Sequence, residues 1–146
     1  MKTIFLFLAL IALLTACGGG GTKVAPVAER IQKSWSAQSV KEGTTPVFTK
    51  GGSSTKPGYS NFRLELASGG VARFTDIDGI TCTGTWAISS DEKTLALTGL
   101  TPPPTGTNGT ISFTISSLTD NSLTITRTTA SLKTGGTINE YQLVNP

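Results

Sequence analysis

The sequence predicts an all-β domain, an eight-stranded antiparallel up-and-down barrel entered by one short helix. Three observations carry this reading. From about residue 35 onward, apolar side chains recur at every second position, as in Phe62/Leu64/Leu66, Ile111/Phe113/Ile115 and Leu123/Ile125. That is the period of a strand with one buried face. The intervening positions are mainly Thr, Ser, Arg and Glu. Threonine suits them because its branched side chain fits a pleated surface and its hydroxyl tolerates water. Finally, no helical pattern separates the runs, so parallel crossovers have no connecting element and antiparallel pairing in chain order remains. A two-sheet sandwich would accept the same pattern, but sequential short turns favour a meander, and closure into a barrel removes its two open edges.

The elements follow in order. Val24, Val27, Ala28, Ile31 and Trp35 fall on one face of a 3.6-residue period, with Pro26 in the first turn and Glu29 and Lys33 spaced i,i+4 on the polar side. They predict a helix over about 25–33, plugging one end of the core. Strands follow at about 35–41, 59–67, 71–76, 80–88, 94–98, 109–116, 122–129 and 137–144. The first strand should close on the last. The predicted inner face comprises Trp35, Phe62, Leu64, Leu66, Phe74, Cys82, Trp86, Ile88, Leu95, Leu97, Ile111, Phe113, Ile115, Leu123, Ile125, Tyr141 and Leu143. Gly69, Gly70 and Gly79 mark turns that call for positive φ.

The connections are unequal. In a meander they alternate between the two ends. Those at 68–70, 89–93 and 117–121 are short and share one end with the helix. Those around 42–58, 76–79, 99–108 and 131–136 share the other, and the first and third of these are long. Elaborated loops on a rigid scaffold are where binding usually sits.

The N-terminus fixes a destination. Met1-Lys2-Thr3 precedes an apolar run from Ile4 to Leu14, then small residues and a cysteine. This is the layout of a secretory signal, and the run is shorter than the roughly 20 residues a membrane span needs. Leu14-Thr15-Ala16-Cys17 resembles the lipobox of bacterial lipoproteins. The resemblance implies cleavage before Cys17 and lipidation of Cys17 with fatty acyl chains, palmitate among them. Such proteins typically carry three chains, and two or more anchor firmly. Residues 1–16 then form the signal peptide, 17–24 a lipidated glycine-rich tether and 25–146 the barrel domain. Gly18 in place of an aspartate suggests, by analogy with sorting in Gram-negative envelopes, delivery to the outer membrane, with the leaflet undetermined. The 130 residues left are enough for one domain with its own core.

Little in the sequence points to reaction chemistry. There is no histidine, which removes the commonest general base and zinc ligand. Asp76-Ile77-Asp78-Gly79 opens like a calcium loop, but its twelfth position is Ala87 rather than glutamate, and a hairpin turn is the better reading. Glu65 and Arg63 share an outer face as a solvated pair. Asn108-Gly109-Thr110 matches a glycosylation triplet, which the lipoprotein context makes incidental. Cys82, on one strand face with Ile80, Trp86 and Ile88, is expected to be a buried thiol without a partner. The basic residues are scattered and the chain, at +3 overall, carries no stripe that would track a nucleic acid. No metal, cofactor or enzymatic activity is expected, and the chain should be a monomer.

The segments Ile31-Gln32-Lys33-Ser34-Trp35, Phe62-Arg63-Leu64-Glu65-Leu66, Gly84-Thr85-Trp86-Ala87-Ile88, Asp91-Glu92-Lys93-Thr94-Leu95-Ala96-Leu97 and Glu140-Tyr141-Gln142-Leu143, behind the lipobox, resemble the lipocalin-like lipoproteins of Bacteroidota. The resemblance spans about residues 31–144 and implies a barrel behind a short helix, in proteins mostly without an assigned activity. Typical lipocalins place glycine two residues before the first-strand tryptophan, where this chain has Lys33. On this basis the leading expectation is a non-enzymatic envelope lipoprotein that binds a small apolar molecule or lipid inside the barrel. Phe62, Leu64, Trp86, Phe113 and Ile125 would line the cavity, with Phe48 near the mouth. Arg127, next inward after Leu123 and Ile125, would meet a fatty-acid carboxylate. Arg73 alternates with Phe74 and is expected in water. The alternative is a protein- or glycan-binding module using the long-loop rim around 42–58 and 99–108, with Val47, Phe48 and Tyr59 as anchors and Pro102–Pro104 stiffening the far side. A hollow barrel favours the first, a filled one with an exposed apolar rim the second.

Overall fold

A computed structural model describes residues 23–146. Cys17, the signal segment and most of the tether lie outside the described residues. Nine strands form one antiparallel sheet: β1 (Ser34–Glu42), β2 (Thr45–Thr49), β3 (Arg63–Leu66), β4 (Val71–Thr75), β5 (Thr81–Ile88), β6 (Thr94–Thr101), β7 (Ile111–Leu118), β8 (Ser122–Arg127) and β9 (Asn139–Val144). From β3 to β9 each strand pairs with the next, and β9 pairs with β1 from Ser36↔Val144 to Glu42↔Asn139, so the sheet closes.

The count of nine is an eight-stranded barrel with one strand split. β3 pairs with Ser34–Ser36 of β1, and β2 pairs with Ser39–Glu42 on the same edge. Together they fill one position, interrupted by residues 50–62. The region read as a first long loop is therefore partly a hairpin. Gly43, at φ 61°, makes its turn, and Val47 and Phe48 of β2 are buried. The returning segment follows β2 closely. Lys56 N–H and the Thr55 hydroxyl both donate to the Val47 carbonyl, and Thr49 N–H donates to Ser54 Oγ. Residues 57–61 then wind into a short 3-10 turn rather than the predicted start of a strand.

The helix is shorter than its periodicity predicts: α1 covers only Val27–Arg30. Ser34 and Trp35 are claimed by pairing with β3, which ends the helical run. The tethering of α1 puts it at the short-loop end. Val27 N–H donates to Glu92 Oε1 at 3.1 Å and Arg30 Nη2 donates to the Leu118 carbonyl at 2.8 Å. Ile31 and Trp35 plug that end, the indole N–H donating to the Ile31 carbonyl at 2.9 Å. Gly69, Gly70 and Gly79 adopt φ between 77° and 79°.

Of the predicted inner face, Trp86, Ile88 and Ile115 are partly buried and the rest fully so. Trp86 lies on the inner face but near the short-loop end, where its indole N–H donates to the Ala67 carbonyl at 2.9 Å. Cys82 is buried, and desolvation pushes its thiol above the ordinary range. On the outer surface Glu65 faces Arg73 across the strands at 3.8 Å rather than Arg63, which turns to the Ser60 and Phe62 carbonyls.

Candidate functional site

The barrel is filled. Phe62 stacks on Tyr141 with centroids 4.7 Å apart and meets Phe74 edge-on at 5.6 Å. Phe113 reaches Tyr141 at 6.1 Å, and Phe48 reaches Tyr59 at 6.2 Å. Leu64 sits opposite Trp35, and Ile125 opposite Tyr141. A void wide enough for a ligand would leave its lining side chains accessible, yet Phe62, Leu64, Phe113 and Ile125 have no accessible surface. The structure thus brings four of the proposed lining residues together, as packing rather than as a cavity wall. Trp86 stands apart from them, nearer the short-loop end. Phe48 is covered, not at an open mouth. The depression at the split between β2 and β3, touched by Ala37 and Phe48, holds about 60 Å³, far below the 300–1,000 Å³ of small-molecule sites.

The long-loop end is built differently from the middle. Three inward positions there carry polar groups: Glu42 after Val40 on β1, Arg127 after Ile125 on β8, and Asn139 before Tyr141 on β9. All are buried. Residues 57–61 turn back over this mouth, with Gly58 against the Ile77 carbonyl, and insert Tyr59 from above. Tyr59 Oη–H donates to Glu42 Oε1 at 2.9 Å, and Lys56 pairs with the other carboxylate oxygen. Asn139 Nδ2 donates to the Tyr59 hydroxyl at 3.4 Å, the Tyr141 hydroxyl at 3.3 Å and Thr134 Oγ1 at 3.1 Å. Its Oδ1 accepts from Thr137 Oγ1 at 2.6 Å. Val47, Phe48 and Tyr59, the expected rim anchors, are thus interior residues. No local periodicity announces the inward position of Tyr59, which a 3-10 turn dips into the core.

Beside this layer, Lys133 binds both aspartates of the β4–β5 turn, Asp78 at 2.6 Å and Asp76 at 3.5 Å. The turn itself is closed by Gly79 N–H donating to the Asp76 carbonyl, so Asp76 and Asp78 hold an ammonium group. Desolvation opposes the charges, but the pairing prevails: Lys133 is held above its ordinary value and Asp78 below its own. Desolvation also drives both tyrosines upward. Tyr141 is pushed up to about 12, the Asp76 charge adding to burial while hydrogen bonding with Asn139 and the nearby Arg127 moderates it. Tyr59 moves further in the same direction, with Tyr141 and Glu42 adding to burial.

Arg127 is the exception among the buried charges. It turns inward and is 4 % exposed. Glu42 has Lys56 and Asp76 has Lys133, but among the described residues no carboxylate lies within 4.0 Å of the Arg127 guanidinium. Its Nε donates to the Thr129 carbonyl at 3.3 Å. Arg73 is exposed, as its alternation with Phe74 requires.

The rim above carries exposed apolar groups. Leu132 is 64 % exposed and Ile80 51 %, with Ile138, Pro102 and Pro103 also in solvent. Leu132 leans on Gly106, linking the 128–138 and 102–110 segments, while Pro104 is buried. No helix among the described residues is long and apolar enough to cross a membrane.

No protein-family model and no curated protein matches the chain. Among solved structures it is similar to an uncharacterised protein from Bacteroides eggerthii, with a TM-score of 0.46 and 13 % identity over 78 % of this chain and 98 % of that one. Likeness at that level carries no conclusion about fold or function.

Proposed function

We propose that this chain is a non-enzymatic lipoprotein of the bacterial envelope, anchored through Cys17, whose barrel is a rigid support for a binding surface on the long-loop rim. The observation that carries this reading is the contrast between a sealed interior and an exposed apolar end. The aromatic core leaves no room for an apolar ligand, which weighs against the carrier expectation. Leu132, Ile80, Ile138 and the Pro102-Pro103 pair present aliphatic surface instead. Buried aliphatic and proline contacts suit a protein partner better than a glycan, which is usually bound on exposed aromatic faces; this rim displays none. The lipocalin-like resemblance and the lipobox support the envelope setting and the tether.

Native mass spectrometry of the protein purified from its own envelope tests the choice. A mass free of bound lipid, and no uptake from a lipid panel, is expected. Bound lipid that is lost on Trp86→Ala would restore the carrier. Crosslinking in intact envelopes should capture a protein partner that Leu132→Asp with Ile80→Asp abolishes while the fold is kept. Cys17→Ser should block processing and release the protein from membranes.

A further inference from the structure

We infer that the anchor holds the long-loop rim away from its own membrane, so that the rim docks an uncharged aliphatic face of a water-soluble protein arriving from the aqueous side. The inference rests on the anchored, rim-binding reading above and deepens it with the partner's chemistry and its direction of approach. Chain geometry fixes the direction. Lys23 to Pro26 lie at the short-loop end, lining a depression with Arg30 and with Glu92 of the 89–93 turn. There α1 is pinned through Val27 and Arg30. Residues 18–23, six in all, lead back from this end to Cys17. Six residues reach at most about 20 Å even when fully extended. The eight-residue strands, tilted as a barrel requires, already span about 20 Å of its axis. The 102–110 and 128–138 segments lie beyond the far ends of these strands, so even an extended tether stops short of the rim.

The surfaces agree with that direction. Val24 is 73 % exposed, with Lys23 before it and exposed Ala25 and Pro26 after it. An apolar step beside a cationic tip suits the head-group level of a bilayer. The outer wall between the two ends carries exposed Thr83, Thr85 and Thr98 with the Lys41–Glu140 and Glu65–Arg73 pairs, a face that stays hydrated. The rim differs from both. Segment 99–110 has no charged residue, and 128–138 has only Lys133, which Asp76 and Asp78 hold. A charge buried against such a surface would lose its water without gaining a counter-ion. The partner's face is therefore uncharged, and its encounter with the rim is not steered by charge.

The test places the lipidated mature chain in phosphatidylcholine nanodiscs that carry a head-group nitroxide, and compares amide intensities with those after ascorbate reduces the nitroxide. The amides of Val24 and Glu92 should be lost, and those of Gly106 and Thr129 should keep full intensity. Loss at Gly106 and Thr129 would mean that lipid covers the rim or that the barrel lies on its side, and either overturns the inference. A photo-crosslinking residue at Thr105 in intact envelopes reads the occupant. The adduct should form with a water-soluble protein domain and vanish with Leu132→Asp. An adduct with lipid, with a membrane-spanning segment or with a second copy of this chain overturns the inference, as does no adduct. Mass spectrometry of the chain from its own envelope separates failure of the anchor itself. If Cys17 carries no acyl group, the anchored reading fails, and a lipid maleimide coupled to Cys17, with Cys82 sealed in the core, still lets the nanodisc spectrum read the orientation.

Discussion

Asn139 holds the long-loop mouth together at the scale of single residues. Its amide reaches two tyrosines and a threonine, and its carbonyl oxygen accepts from another threonine. Asn139→Ala strands these buried partners, and each unmet buried group costs about 1–3 kcal/mol. The denaturation midpoint should fall by a corresponding amount with the slope unchanged, which urea titration reads directly. The inward direction of Asn139, Glu42 and Arg127 was legible from parity with Tyr141, Val40 and Ile125. Their burial was not, because a polar residue at the end of an apolar alternation looks the same whether the strand leaves the core or a neighbour covers it. Here residues 57–61 supply the cover, and nothing local announces them.

The weak points of individual elements lie where main chains approach. A Cβ on Gly84 would stand 2.4 Å from the Thr98 carbonyl oxygen and 2.9 Å from the Leu100 nitrogen, both backbone atoms beside the β5–β6 bulge. Backbone does not yield as a side chain does, so Gly84→Ala should cost about 1–3 kcal/mol or more. Gly43→Ala meets open space and bears only the cost of its positive φ, about 1–2 kcal/mol. Thermal melts of the two variants should rank Gly84→Ala as the more damaging. The strand count was readable from alternation, and so was closure of the first strand on the last. The split between β2 and β3 was not, since Pro46 and the glycines of 51–58 read as loop. The helical period runs on past α1 because Trp35 satisfies it while its backbone is held by β3.

Considered as a whole, the molecule hides both of its tyrosines. Burial raises both above the value they take in the unfolded chain, near 10. A group whose folded pKa is raised contributes its stability below the unfolded pKa and loses it as pH rises through the folded one. Lys133, also raised, acts in the same direction. Stability should therefore decline from about pH 10 upward, by about 2 kcal/mol for Tyr141 alone at pH 12. Phenolate absorbance should appear together with loss of ellipticity, not before it. Early phenolate absorbance in a folded protein would contradict the burial of both rings. Asp78 works oppositely: its depressed pKa contributes above the unfolded carboxylate value near 3.9 and is lost on further acidification.

The returning segment behind β2 also governs self-association. Among the described strands, β2 has a single paired neighbour, and an unpaired strand flank templates addition of a second chain. Pro46 offers no N–H there, the Val47 carbonyl is occupied by Lys56 and Thr55, and the Thr49 N–H is turned to Ser54. At Pro46, Val47 and Thr49 an incoming strand finds the donor missing or the groups occupied, so residues 50–56 act as insulation against polymerisation. Pro46→Thr combined with Ser54→Gly removes two parts of that insulation, and light scattering should then rise with protein concentration where the unaltered chain stays monodisperse.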